Sequence, residues 1–462
     1  MGSLAMQSES KSFYRSVFSL VLPMALQNLI NVAVTSADVI MLGKVGETVL
    51  SASSLAGQLN FIMTMFFFGI TSGAAVLTAQ YWGKRDTKTI ERILGITLRL
   101  SILVACIFTV VALCFPRTVM MIFSSEEPVI EEGIKYLRIV SVSYLFTSIT
   151  MVYLNIMRTV ERVVISTVVY AISLVTNVVI NGILIFGLFG APKLGIAGAA
   201  IGTTIARGVE LAIVIGYSCR NQVVRFRLKD LLVHDTELFR DFLKYAIPVT
   251  LNEILWGFGS SMNSVIIGHL GQSVVAANSV TQVTRQLAMV IAFGLSNAAA
   301  IMLGKTIGAG DPQKALRDSK RFLRLTFLFG LGGAAVILLV SPIARATLTL
   351  SETAQGYLTF MMFVMSYFTV AQAMNTTIVC GVLRSGGDAK FGLVLDATTM
   401  WGCSILLGAV CAFILKLPVP IVYVVLMSDE LIKLPLSFFR YRKRYWLRDV
   451  TRDQSQTELI NE

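Results

Sequence analysis

Four acidic residues stand inside long apolar stretches of this chain: Asp38, Glu253, Asp388 and Asp396. A charge at the centre of a membrane span costs about 2.5 kcal/mol or more on insertion scales, so such a carboxylate usually serves a purpose. Asp38 closes the run "QNLINVAVTSADVIMLGKVG", which holds no basic residue before Lys44. At about 100° per residue, Gln27, Asn31 and Asp38 fall within about 40° of one another and form a polar stripe. An acid near a helix C-terminus opposes the macrodipole, so capping does not account for Asp38.

Glu253 lies in "IPVTLNEILWGFGSS", with Gly257, Ser260 and Ser264 on its face and Trp256 one turn away. A carboxylate beside an aromatic ring suits an organic cation. The structural alternative pairs Glu253 with Arg285, the one deep basic charge read from the sequence. Asp396, in "FGLVLDATTMW", reads as functional. Asp388, in "LRSGGDAK", reads as structural, because acids are favoured near a helix N-terminus. Asn177 and Asn181 are four residues apart and stack on one helical face. With Thr203 and Thr204 they could supply oxygen ligands for a small cation, or they could act as packing glue between helices.

These residues need membrane helices to carry them. The chain has 462 residues, of which 55% are hydrophobic and 14% charged, and its mean hydropathy is +0.73. A soluble domain carries about 25% charged residues. About twelve stretches are long enough to span a bilayer. They run roughly 13–42, 48–82, 87–114, 128–157, 163–188, 194–219, 238–268, 274–307, 313–341, 354–382, 387–415 and 418–441. The expectation is an all-α polytopic membrane protein. Basic residues concentrate in every second loop, which places both termini in the cytoplasm. The polar start lacks an h-region and cleavage site, so no cleavable signal peptide is expected.

The chain also repeats itself. At a shift of 225 residues Pro23 meets Pro248, Ser36 meets Ser261, Gly43 and Gly46 meet Gly268 and Gly271, Gly83 meets Gly308, and Asp86 meets Asp311. The expected organisation is therefore an N-lobe at 1–219, a cytoplasmic linker at 220–237, a C-lobe at 238–442 and a cytoplasmic tail at 443–462. Six spans per half give the halves the same orientation. Such parallel repeats place a substrate site at their interface and alternate its access. In this register Asp38 meets Asn263 and Glu253 meets Asn28, so each half has an acid where the other has an amide.

Other classes are disfavoured. The net charge of +12 is distributed over short loops, without a basic domain for nucleic acid. The six cysteines form no CxxC pair, and His234 and His269 are far apart, so neither a metal site nor a membrane enzyme is expected. The loops "WGKRDTKTIER" and "KTIGAGDPQKALRDSKR" lack the glycine-aspartate-arginine signature of major-facilitator carriers.

The first span, "LPMALQNLINVAVTSADVIMLGKVG", resembles that of the bacterial multidrug and toxic compound extrusion (MATE) transporters. "NVVINGILIFGLFGAPKLGIAGAAIGT" is similar to their fifth and sixth spans, "GHLGQSVVAANSV" to their seventh-span exit and "LRSGGDAK" to their arginine-glycine-aspartate segment. The resemblance implies a two-lobed, twelve-helix, V-shaped exporter in the cell membrane that expels amphipathic, often cationic, compounds. Inward H+ or Na+ drives it, with no other cofactor. It implies cation coupling at Asp38, Asn177, Asn181, Glu253 and Asp396. The candidate substrate contacts are Gln27, Asn31, Glu253, Trp256 and Arg285. Some branches carry an aspartate at the position of Asn181. A lipid-linked precursor flippase is the alternative, disfavoured because it needs a strongly basic cavity. A monomer in the bilayer is expected.

Overall fold

The computed structural model describes residues 2–221, 223–224, 235–347 and 351–452, with side chains from Ser10 onward. Residues 222 and 225–234 of the expected linker, with His234, lie outside the described residues, as do 453–462 of the expected tail.

Among the described residues the chain is helical throughout, with no strand. The helices are α1 (Gly2–Gly43), α2 (Glu47–Gly83), α3 (Thr87–Cys114), α4 (Pro116–Phe123), α5 (Glu127–Val140), α6 (Val142–Thr159), α7 (Val164–Phe186) and α8 (Ile196–Arg220) in the first half. The second half has α9 (Thr236–Gly268), α10 (Gln272–Gly308), α11 (Pro312–Thr347), α12 (Glu352–Thr376), α13 (Ala389–Asp396), α14 (Leu406–Ala409), α15 (Val419–Leu426) and α16 (Asp429–Arg442). Wider π turns extend α12 through Thr377–Leu383 and link α13 to α14 through Ala397–Ile405.

All twelve expected spans are helical. Nine helices among the described residues are long and apolar enough to cross a membrane, or ten when α5 and α6, bent by 51°, count as one. The other two segments are α9 and the α15–α16 pair. Asn252, Glu253, Ser260 and Ser261 lower the hydropathy of α9, and Asp429, Glu430 and Lys433 lower that of α16. Large apolar side chains such as Ile40, Val175, Leu328 and Leu339 are exposed, as lipid-facing positions require.

The repeat governs element boundaries as well as residues. α1 and α9 end at Gly43 and Gly268, α2 and α10 end at Gly83 and Gly308, and α5 and α12 start at Glu127 and Glu352. Asp86 caps α3 by accepting from the Thr89 amide at 3.1 Å, and Asp311 caps α11 by accepting from Lys314 at 2.9 Å. Each cap satisfies an amide that the first turn leaves unpaired.

Packing divides the chain into two units. One holds the segment up to Ala25, Ala79–Arg85 and the chain from Leu251; the other holds Leu26–Thr78 and Asp86–Thr250. The division cuts α1 after Ala25 and α9 after Thr250, so the first halves of these helices are exchanged relative to the connectivity. The exchange has a packing cause. In the second unit Gly69 and Gly73 of α2 press on Thr250 and Ala246 of α9, while in the first unit Gly294 of α10 presses on Val21 of α1. Small residues let membrane helices approach closely. The first unit's core includes Ile267, Ala277, Leu358, Met361, Tyr423 and Leu426. The second unit's core includes Ala56, Met63, Phe67, Leu137, Tyr144 and Ala200.

Candidate functional site

In the second unit, three helices converge on Asp38. α1 carries the carboxylate, α7 carries Asn177 and Asn181 one turn apart, and α8 carries Thr203. Gly198 of α8 packs on the backbone of Leu184 and Ile185, and Gly202 leaves room for the Asn181 side chain. The run "GIAGAAIG" therefore serves close packing, and the amides it accommodates reach the acid. Asn181 Nδ2 donates to Asp38 Oδ1 at 2.7 Å and to Asn177 Oδ1 at 3.2 Å. Asn177 Nδ2 donates to Thr203 Oγ1 at 3.4 Å, and the Tyr136 hydroxyl contacts Thr203. Asn181 Oδ1 is buried with no donor. Among the described residues no cationic group lies within ion-pair distance of Asp38. Arg207, whose charge reaches it, is committed to Glu210 at 2.7 Å.

The other members of the α1 stripe separate. Gln27 is buried and donates to Val163 O at 3.3 Å and Thr167 Oγ1 at 3.0 Å, fastening α1 to the start of α7. Asn31 is exposed.

In the first unit the acids are paired. Glu253 binds Arg384 Nη1 at 2.8 Å, so its partner is Arg384 and not Arg285. Arg384 Nη2 also donates to Asn252 Oδ1 at 2.8 Å, and Asn252 Nδ2 donates to Asp396 Oδ2. Lys433 completes the chain of contacts, at 2.7 Å from Asp396 and 3.3 Å from both Asp429 and Glu430. Asn375 donates to Glu430 Oε2 at 2.8 Å and accepts from Ser437. Asp388 accepts from Arg440 Nε at 2.7 Å, in keeping with a structural role. Arg285 donates to two amide oxygens, those of Gln282 at 2.8 Å and Gln372 at 2.9 Å. With Trp256 it lines a cavity of about 250 Å³.

Two expectations need correction. Arg285 is not the one deep basic charge, since Arg384 and Lys433 are both buried. The set of four intramembrane acids also omits Glu210, Asp429 and Glu430, all buried. The signal for these was local: Arg207–Glu210 and Glu430–Lys433 stand at i,i+3 and Asp429–Lys433 at i,i+4, spacings at which opposite charges meet on a helix. Arg384 was visible in "LRSGGDAK" but read as a loop residue.

A two-repeat helical bundle with polar groups buried at membrane depth defines a polytopic membrane transporter. The chain belongs to the MatE family, which it matches over residues 23–183 and 248–414. The two matched segments begin at Pro23 and Pro248, 225 residues apart. The chain is 24% identical over 454 residues to a probable multidrug resistance protein, YoeA, of Bacillus subtilis, covering 97% of this chain and 98% of that one. It is 25% identical over 415 residues to a probable multidrug resistance protein, NorM, of Rhizobium meliloti, covering 88% and 87%. Its fold is shared with a MOP superfamily transporter from Pyrococcus furiosus at TM-score 0.84 and 18% identity, covering 93% and 95% of the chains. An outward-facing multidrug resistance MATE transporter superposes with TM-score 0.83 at 18% identity, covering 95% and 96%.

Proposed function

We propose that this protein is an H+- or Na+-coupled antiporter in the cytoplasmic membrane. It exports amphipathic, mainly cationic, drugs or metabolites by alternating access, as a monomer with both termini in the cytoplasm. The observation that carries the reading is the contrast among the intramembrane acids first read from the sequence. Glu253, Asp388 and Asp396 are each ion-paired, whereas Asp38 has amide partners only. A carboxylate without a fixed counter-charge is free to take up and release a cation. The unpartnered Asn181 Oδ1 and the hydroxyl of Thr203 supply neutral oxygens around it. Neutralising Asp38 changes its contact with Asn181 and so biases the helices that carry the two residues. The efflux direction is supported by the multidrug resistance names of the relatives.

The lipid-precursor flippase reading is weaker. Arg384 and Lys433 add buried cations, but each is neutralised by neighbouring acids and neither makes a basic cavity. The test is uptake of a fluorescent organic cation into inverted vesicles under a separately imposed pH or Na+ gradient. Gradient-driven uptake that disappears in Asp38→Asn supports the reading and names the ion. The absence of uptake under either gradient, with folded protein, refutes it.

A further inference from the structure

The first unit contains a second polar site, distinct from the Asp38 cluster. Its cavity of about 250 Å³ is lined by Trp256 and Asn263 of α9, Asn278 and Arg285 of α10, and Asp429 and Glu430 of α16. Three observations describe its chemistry. The Arg285 guanidinium carries five N–H donors, and its bonds go to the amide oxygens of Gln282 and Gln372 alone. Among the described residues no carboxylate pairs with it. Opposite in charge, Asp396, Asp429 and Glu430 share the single ammonium of Lys433, so that cluster holds two more negative than positive charges. The side-chain oxygens Asn263 Oδ1 and Asn278 Oδ1 are buried at the cavity and have no donor. Asn263 is the repeat counterpart of Asp38.

A buried charge or polar atom without a partner is costly, so a cavity carrying both signs and orphan acceptors is built for a ligand that meets them. A monocation leaves Arg285 uncompensated. A monoanion leaves the carboxylate excess and the two amide oxygens without donors. A molecule with an anionic and an ammonium pole satisfies all of them, and the Trp256 ring offers an apolar face for its body. The volume falls below the roughly 300–1,000 Å³ of drug-sized sites. We propose that this cavity binds a small zwitterion of amino-acid size, its carboxylate on Arg285, its ammonium on Asp429 and Glu430 with Asn263 and Asn278, and its apolar group against Trp256. The site stands on its own geometry and does not require the coupling role of Asp38.

The test is direct binding to the full-length protein in nanodiscs, using three radiolabelled probes with one common body: L-phenylalanine, phenethylamine and phenylacetate. Phenylalanine is expected to bind about tenfold or more tightly than either singly charged analogue, the scale of one charge-assisted hydrogen bond. Arg285→Gln should remove that advantage over phenethylamine, and Asp429→Asn should remove the advantage over phenylacetate. Arg285→Lys, which keeps the charge, should retain the order of the three probes and guards against misfolding as the cause. Asp38→Asn should leave phenylalanine binding unchanged even where gradient-driven export is lost, so failure of the coupling reading and of this one are separable. Absence of phenylalanine binding, phenethylamine binding as tight as phenylalanine, or an unaltered order in Arg285→Gln would overturn the proposal.

Discussion

Asn181 holds Asp38 by a single amide donor at 2.7 Å, across 143 residues of chain and from one helix to another. The contact joins a removable charge to a helix that packs on α8 through glycines, so neutralising the carboxylate acts on a tightly packed pair. Asp38→Asn keeps the size and the hydrogen-bonding capacity but not the charge. Gradient-driven export should fall by about tenfold or more while membrane insertion and thermal stability remain, because the loss is one of charge. Wild-type export in the variant, measured in the vesicle assay, is the contrary result.

Lys433 is the sole ammonium in contact with Asp396, Asp429 and Glu430. Removing one partner from a buried ionic cluster costs about 3–5 kcal/mol, because the remaining charges stay in place without compensation. Lys433→Met should therefore lower the thermal transition and the yield of monodisperse protein sharply. The triple change with Asp429→Asn and Glu430→Gln should recover much of the loss. Asp388→Asn, at a more exposed pair with Arg440, should cost no more than about 1 kcal/mol.

Gly83 and Gly308, related by the repeat, make reciprocal contacts in the first unit. A methyl on Gly83 would strike the backbone at Lys305, Gly308 and Ala309, and one on Gly308 would strike the backbone at Gln80. Backbone cannot yield as a side chain does, so Gly83→Ala and Gly308→Ala should each destabilise by about 1–3 kcal/mol. Gly332→Ala meets nothing within 4 Å and should leave the thermal transition in place.

The segment after α16 is tied to the end of α2. Gln80 donates to Ser385 O at 2.8 Å and Arg448 O at 3.0 Å and accepts from the Val450 amide at 2.8 Å, while Lys84 pairs with Asp449 at 3.0 Å. Partial burial pushes the Asp449 carboxyl up, but hydrogen bonds from Thr451 and the Lys84 ammonium outweigh it and hold the group below the usual carboxylate range. A carboxyl depressed in the folded state contributes stability above its unfolded value of about 3.9 and loses it as pH falls through the lower folded value. Hydrogen exchange at Val450 should therefore be slow and nearly flat from pH 5 to pH 8 after correction for intrinsic rates. Protection should fall below about pH 4. Gln80→Ala should abolish it at every pH.

Much of the fold was legible because its determinants are local. Span length and apolarity act within one segment, and helical period places Asn177 above Asn181 whatever surrounds them. The repeat was equally visible, since Gly43, Gly83 and Asp86 recur at 225 along with the helix ends and caps they form. Gln27 shows the limit of the same reasoning. Period alone put it with Asn31 and Asp38, but α7 lies against one part of α1, so Gln27 is buried against Val163 while Asn31 is exposed.

The sequence by itself determined a membrane protein of two repeated helical halves and the acids that need explanation. Bilayer insertion and helix geometry are properties of contiguous residues. Only the tertiary structure decided which acids are neutralised. Glu253 meets Arg384 and Asp396 meets Asn252 across more than 130 residues, and Lys433 gathers three carboxylates from two segments. It also decided that α1 and α9 are divided between the packing units. Such pairings depend on which helix faces meet, and no local pattern encodes that choice. Asp38 stands apart for the same reason: its lack of a counter-charge is a fact about three helices and cannot be read from the one that carries it.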